Sequence, residues 1–139
     1  MSSTDVQTLR DAYAAYKAGD VGAVLAALDE HIRWQSPRVL PHGGEYHGHA
    51  GVQAFLAALG EHWSEVGVEV RDVVAGDGRV VVLGRTSGVL RASDGSRRGY
   101  DFAHVWTFEA GRAVRFLELV DPDELLEDRS GRAWARRAA

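Results

Sequence analysis

The sequence predicts an α+β domain, a cone-shaped, strongly curved antiparallel sheet wrapped around three N-terminal helices with an internal pocket. Three observations lead there. Helical patterns come first along the chain and strand patterns after, the order expected when helices are segregated on one face of an antiparallel sheet. The second half alternates apolar and polar residues in runs joined by Gly-containing turns. Residues 98–121 read as one long hairpin turning at Ala110-Gly111. Its first strand carries Tyr100, Phe102, His104, Trp106 and Phe108 on one face, and its second carries Val114, Phe116, Glu118 and Val120. A twisted sheet that curls over helices leaves a cavity with an open mouth, a natural small-molecule site.

The elements follow in order. Thr4 is suited to an N-cap, with Gln7 completing a capping-box pattern, and Val6, Leu9, Tyr13 and Tyr16 recur at helical spacing. Gly19-Asp20 breaks this helix, and a short second helix is expected over 21–28. Ile32, Trp34 and Ser36 alternate with Arg33 and Gln35 as a short strand closed by Pro37. Residues 38–48, rich in Gly, Pro and His, read as a loop long enough to cover a pocket mouth. A third helix is expected over about 49–63, with Val52, Phe55, Leu56, Leu59 and Trp63 on one stripe. From Val66 the chain reads as strand: Val66, Val68, Val70 and Asp72 form one row, and Gly76-Asp77-Gly78 forms a hairpin turn. The strand 80–90 then places Val81, Leu83, Arg85, Ser87 and Val89 in one row, and Asp94-Gly95-Ser96 turns into the long hairpin. Asp121-Pro122 ends the sheet, and 123–136 reads as weakly helical.

Length and composition bound the function. The 139 residues make one domain, 1–139, with a core of about 5–121 and a tail of 122–139. The absence of cysteine removes disulfides, thiolate metal sites and cysteine nucleophiles. A formal net charge of -4 argues against a nucleic-acid partner. The arginines of the tail, Arg129, Arg132, Arg136 and Arg137, read as a solvated helix face. No apolar run approaches the roughly 18 residues of a membrane span, and the N-terminus shows no secretory pattern, so the expected location is cytoplasmic, away from membranes. No cofactor motif is present, and no phosphate loop follows the Gly-rich segment. His42, His47 and His49 lack a matched metal spacing, so no metal is expected.

With that order of elements in place, four stretches resemble the SnoaL-like group of the nuclear transport factor 2-like superfamily. They are YAAYKAGDVGAVLAAL, IRWQSP, GGEYHGHAGVQAFL and HVWTFEAGRAVRFLELVD, and the resemblance covers about residues 9–121. The group is similar to polyketide cyclases, ketosteroid isomerases and limonene epoxide hydrolases. The resemblance implies a homodimer and a pocket for a small apolar metabolite. Ketosteroid isomerases carry their Asp base where this chain has Ser36, before Pro37, so that base is missing. Their oxyanion hole combines a Tyr near Tyr13 with a protonated Asp, whose position falls at His104 if the turn before Gly111 is one residue shorter here and at Ala103 without that gap; the gap is preferred because it aligns Trp106 and Phe108 with apolar family positions. Limonene epoxide hydrolases place an Arg at Arg85, one Asp at Ser87 and another at Glu118, so an Arg–carboxylate pair survives here.

Ionisable groups on the core face of a sheet are costly without a partner or a task. Glu118 and His104 are therefore the expected acid–base groups, with Arg85 expected to orient Glu118 or steady developing charge. Tyr13, Tyr16, Trp34, Ser36, Trp63, Ser87 and Trp106 are expected to bind substrate as apolar walls and hydroxyls. A Ser–His–Asp triad using Ser36 or Ser87 lacks a nucleophile-elbow motif. The expected activity is cofactor-independent acid–base catalysis on a small, mostly apolar metabolite: isomerisation, cyclisation, dehydration or epoxide opening. The alternatives are a non-catalytic small-molecule-binding protein and a protein-interaction module of the same fold.

Overall fold

The first helix, α1 (Ser3–Lys17), turns Leu9 and Ala12 into the core, and Gly19 ends it in the left-handed region. The structure, a computed structural model, describes residues 3–92 and 94–126. Asp20 caps α2 (Val21–Ala26), its carboxylate accepting from the Ala23 N–H at 3.1 Å. That helix is shorter than expected, because Leu28 already starts strand β1 (Leu28–Ser36) and is buried there. The alternation of Ile32, Trp34 and Ser36 points all three inward, as the period of a strand requires.

Residues 38–48 are not simply a covering loop. They hold a strand, β2 (Gly44–His47), which pairs antiparallel with β1 from Arg33↔His47 to Ser36↔Gly44. Ahead of it the chain turns tightly, with Leu40 N–H bonded to the Pro37 carbonyl and Gly43 N–H to that of Leu40. A Cβ at Gly43 would sit 1.7 Å from the Pro37 carbonyl oxygen, so only glycine fits. The turn drives Leu40 and His42 into the interior. Helix α3 (Gly48–His62) follows, burying Val52, Phe55 and Leu59. Trp63 is not on that helix: its backbone is extended and it begins β3 (Trp63–Gly76).

Strands β4 (Arg79–Leu90), β5 (Arg97–Glu109) and β6 (Arg112–Val120) complete one six-stranded sheet of order β2-β1-β6-β5-β4-β3. Every neighbouring pair is antiparallel except β1 and β6, which run parallel with Trp34 beside Phe116. The helices lie on the concave side of this curved, unclosed sheet, as the α+β reading anticipates. The short helix α4 (Pro122–Leu126) ends the described chain, with Leu125 fully buried; the tail arginines lie outside the described residues.

Three strands depart from the expected rows. On β3 a register shift between Val70 and Asp72 leaves Asp72 exposed and packs Val73 against the core in its place. On β4 the inward row is Val80, Val82, Gly84, Thr86, Gly88 and Leu90; Val81, Leu83, Arg85, Ser87 and Val89 take the opposite face. On β6 a register shift opposite Thr107 and Phe108 puts Ala113, rather than Val114, in the inner row before Phe116 and Glu118. The row Tyr100, Phe102, His104, Trp106 and Phe108 on β5 faces inward throughout.

Candidate active site

Between the concave sheet and the helices lies a space of about 640 Å³ free of protein atoms, including its mouth to solvent. Its partly exposed lining residues, Tyr13, Tyr16, Leu56, Val66 and Val68, come from α1, α3 and β3, so the mouth opens there. Its depth is mostly aromatic and aliphatic, and is interrupted by a few polar side chains.

The first polar group is built on β5 and β6. His104 and Glu118 are cross-strand partners on the inner face, which brings imidazole Nε2 to 2.9 Å from the Glu118 Oε2. Strand β1 runs beside β6, and its last residue, Ser36, donates its hydroxyl to Glu118 Oε1 at 2.7 Å. Helix α1 supplies Tyr13, whose Oη lies 2.6 Å from His104 Nδ1, and Trp106 donates its indole N–H to the same Oη at 3.1 Å. Phe102 stacks on the imidazole with ring centres 3.7 Å apart, and Phe116 meets it edge-on.

The direction of these bonds follows from which groups can only donate. Indole N–H is a donor alone, so Tyr13 Oη accepts from Trp106. Burial pushes the Tyr13 phenol far up; the Trp106 bond opposes this and the Glu118 charge adds to it, so the phenol keeps its proton. It donates that proton to His104 Nδ1. With Nδ1 accepting, the imidazole carries its hydrogen on Nε2 and donates it to Glu118. Burial alone would raise the Glu118 carboxyl. The hydrogen bonds given by His104 and by the Ser36 hydroxyl oppose it and hold the carboxyl below its ordinary range. Glu118 is thus an ionised carboxylate in the wall of an apolar cavity, approached from behind by two donors.

Arg85 is not part of this group. It stands on the outer face, where its guanidinium bonds Asp101 and Glu124 at 3.0 Å each. The reason is the face of β4: Gly84, not Arg85, points inward, because the Phe102 ring and the Glu69 carbonyl occupy the space a side chain would need. Ser87 shares the outer face and does not line the cavity. His104 therefore takes the place beside Glu118 expected for Arg85. Tyr13, Tyr16, Trp34, His104 and Glu118 do line the cavity. Ser36 stands behind Glu118, and Trp106 stands behind Tyr13. Trp63 sits behind His42, donating its indole N–H to His42 Nδ1 at 3.3 Å.

His42, Thr86 and Tyr100 are cavity residues that sequence reasoning passed over. Tyr100 was legible as part of the inward row of β5. Thr86 becomes visible once the β4 row is shifted by one. His42 carried no signal beyond its place in a Gly-rich segment. Of the other histidines there, His49 bonds the Leu28 carbonyl and His47 stacks on His31 at the surface. Among the described residues no group of three or more His, Cys, Asp or Glu side chains converges as a metal site.

Comparison with known proteins agrees with this architecture. An NTF2-like protein of unknown function from Burkholderia pseudomallei is 34% identical over 90% of this chain and 96% of its own, with a TM-score of 0.81. TerC, solved in co-crystals with polyporic acid, is 26% identical over 86% of this chain and 92% of its own, with a TM-score of 0.77. A structure described as a SnoaL-like polyketide cyclase, from Jannaschia, shares the fold at 18% identity, 86% coverage of each chain and a TM-score of 0.71. No curated protein matches the chain. The model of the SnoaL-like domain family matches residues 9–116, which take in most of the sheet, α2, α3 and the second half of α1, and the chain belongs to that family.

Proposed function

We propose that this protein binds a small, mostly apolar metabolite in the cavity and moves a proton on it without a cofactor, with Glu118 as base and His104 as its partner. The observation that carries the reading is the 2.9 Å contact between His104 Nε2 and the buried Glu118 carboxylate in the wall of a mostly apolar pocket. Each carboxylate oxygen accepts one hydrogen from the protein and retains a lone pair for a substrate proton. The proton taken is held on the His104–Glu118 pair, sheltered from water, and can be returned to another atom of the same molecule. That sequence suits isomerisation, cyclisation or dehydration. Epoxide opening needs an acid first, and a resting carboxylate is poorly suited to it. The relative TerC was crystallised with polyporic acid, which supports a small organic compound as the occupant of this type of cavity.

The test is proton exchange. The full chain is incubated in deuterium oxide with a panel of small neutral ketones and β-hydroxyketones, and loss of C–H signal is followed by proton NMR. The expected result is accelerated exchange of at least one compound, slowed about 100-fold or more by Glu118→Gln while binding persists. Equal exchange in wild type and variant, with binding intact, would leave a binding protein that does no chemistry.

A further inference from the structure

A second cavity lies between α1 and β3. It is a crevice of about 360 Å³ free of protein atoms, counting its opening to solvent, and Leu9, Arg10, Tyr13, Val70, Val73 and Val82 line it. A bulge in the sequence of β3 builds it. Along a regular strand, inward residues recur at every second position. Here the register shift leaves Arg71 and Asp72 exposed in succession, so Val70 and Val73, both packed against the core, stand three positions apart. Leu9 from α1 and Val82 from β4, both almost fully buried, complete the apolar lining. Tyr13 is shared, lining this crevice and the central cavity alike.

Apart from Arg10, every lining side chain is aliphatic or aromatic. The Tyr13 hydroxyl is taken up by His104 and Trp106 on the side of the central cavity, so the crevice meets the Tyr13 ring. Arg10 is exposed and has no hydrogen-bond or ion-pair partner among the described residues. The positions three and four away from it on α1 hold Val6, Gln7, Tyr13 and Ala14, none of them acidic, and the Gln7 amide is bonded to Asp11 at 2.8 Å. The acids around the bulge are engaged elsewhere. Glu69 and Asp101 pair with Arg71, and the Asp72 carboxylate accepts from the Val73 N–H. The crevice is thus an apolar slot with one uncompensated cation at its opening.

We infer that this crevice is a second binding site, for a short alkyl carboxylate, with the alkyl tail among Leu9, Val70, Val73 and Val82 and the carboxylate on the Arg10 guanidinium. Three observations set the class. The aliphatic lining offers no polar side chain to the buried part of the ligand, so that part carries no hydrogen-bonding group. The unpaired guanidinium is a planar fork that receives a carboxylate through two parallel bonds. The crevice has little more than half the 640 Å³ of the central cavity and lies near the lower end of the roughly 300–1,000 Å³ of ligand pockets, which limits the tail to a few carbons. Because Tyr13 is the common wall, an occupant touches the ring whose hydroxyl sets the direction of His104. Occupancy is therefore felt at the bonds that Trp106, Tyr13 and His104 share, and the site depends on no reaction in the central cavity.

Hexanoate, hexan-1-ol and acetate separate the tail from the charge. Each is titrated into the full chain and followed through the indole N–H signals in proton–nitrogen NMR spectra. Hexanoate is expected to bind about fivefold tighter than hexan-1-ol, the return of one arginine–carboxylate pair near the surface, and acetate to show no saturable binding. At saturation with hexanoate the Trp106 signal is expected to move. Arg10→Gln, at an exposed position, is expected to lower hexanoate to the affinity of hexan-1-ol while the alcohol changes less than about twofold. Val73→Phe fills the slot and is expected to weaken both probes about tenfold. Equal binding of hexanoate and hexan-1-ol by the wild type, or a preference that survives in Arg10→Gln, overturns the site. Binding unchanged in Val73→Phe also overturns it, since the probes would then sit in the central cavity. A Trp106 signal that stays still at saturation, or no saturable binding of either six-carbon probe, leaves the crevice a packing gap and the inference falls.

Discussion

Glu118 shows how a charge survives in an apolar interior. It is buried, yet Ser36 and His104 each donate to one of its oxygens, and Tyr13 and Trp106 fix which way His104 donates. The hydroxyl of Tyr13 is the hinge of that arrangement, because it accepts from one nitrogen and donates to another. Tyr13→Phe keeps the ring but leaves the Trp106 N–H and His104 Nδ1 without their partner. The expected loss is about 2 kcal/mol of unfolding free energy, read from urea denaturation, since a buried polar group left unmade costs roughly 1–3 kcal/mol. Removing the hydroxyl also frees His104 to place its hydrogen on either nitrogen, so exchange activity is expected to fall with stability. Glu118 and His104 were visible as candidates from the sequence because period 2 put them in otherwise apolar rows. Their contact needed the β5–β6 register, which pairs them directly.

At the scale of the element, β4 decides which residues can reach the cavity. Its two faces compete on near-equal terms: Val80, Val82 and Leu90 on one, Val81, Leu83 and Val89 on the other. Hydrophobic count does not separate them. What does is space, since a Cβ at Gly84 would lie 2.2 Å from the Glu69 carbonyl oxygen and 2.6 Å from Phe102 Cζ. Gly84→Ala is therefore expected to destabilise the protein by about 1–3 kcal/mol through forced displacement of β3 or Phe102, measured as a lowered thermal midpoint. The same choice of face sends Arg85 outward to Asp101 and Glu124, where it helps hold α4 against the sheet. Sequence reading took the row through Arg85 because limonene epoxide hydrolases carry an Arg there. The one-residue alternative differs by no pattern, only by which backbone neighbours crowd the site.

For the whole molecule, the cavity is lined from every strand except β2 and from all three N-terminal helices, so its electrostatics report on global stability. Glu118 has a folded-state pKa below its unfolded one. Its contribution to stability is therefore complete above the ordinary carboxylate range and lost as pH falls through the lower folded value. Wild-type stability is expected to decline on acidification through that window, and in Glu118→Gln that part of the decline is expected to vanish. Parallel acid titrations followed by circular dichroism check this; superimposable curves would contradict it. No helix of the described chain is long and apolar enough to cross a membrane.

Local pattern in the chain was enough for the class of fold, the order of helices and strands apart from β2, the inward aromatic row of β5, and the presence of one imidazole and one carboxylate on core faces. Those features are local or periodic, and each is written in residues a few positions apart. The tertiary structure alone decided three things. It paired β1 in parallel with β6, which carries Ser36 to Glu118. It turned β4 so that Thr86, and not Arg85, faces the cavity. It folded the Gly-rich segment before α3 inward, placing His42 between Trp63 and Tyr100. Each depends on contacts between residues 20 or more positions apart in the chain. Such contacts follow from sheet register and from the space left by glycines, and neither is legible in the alternation of a single strand.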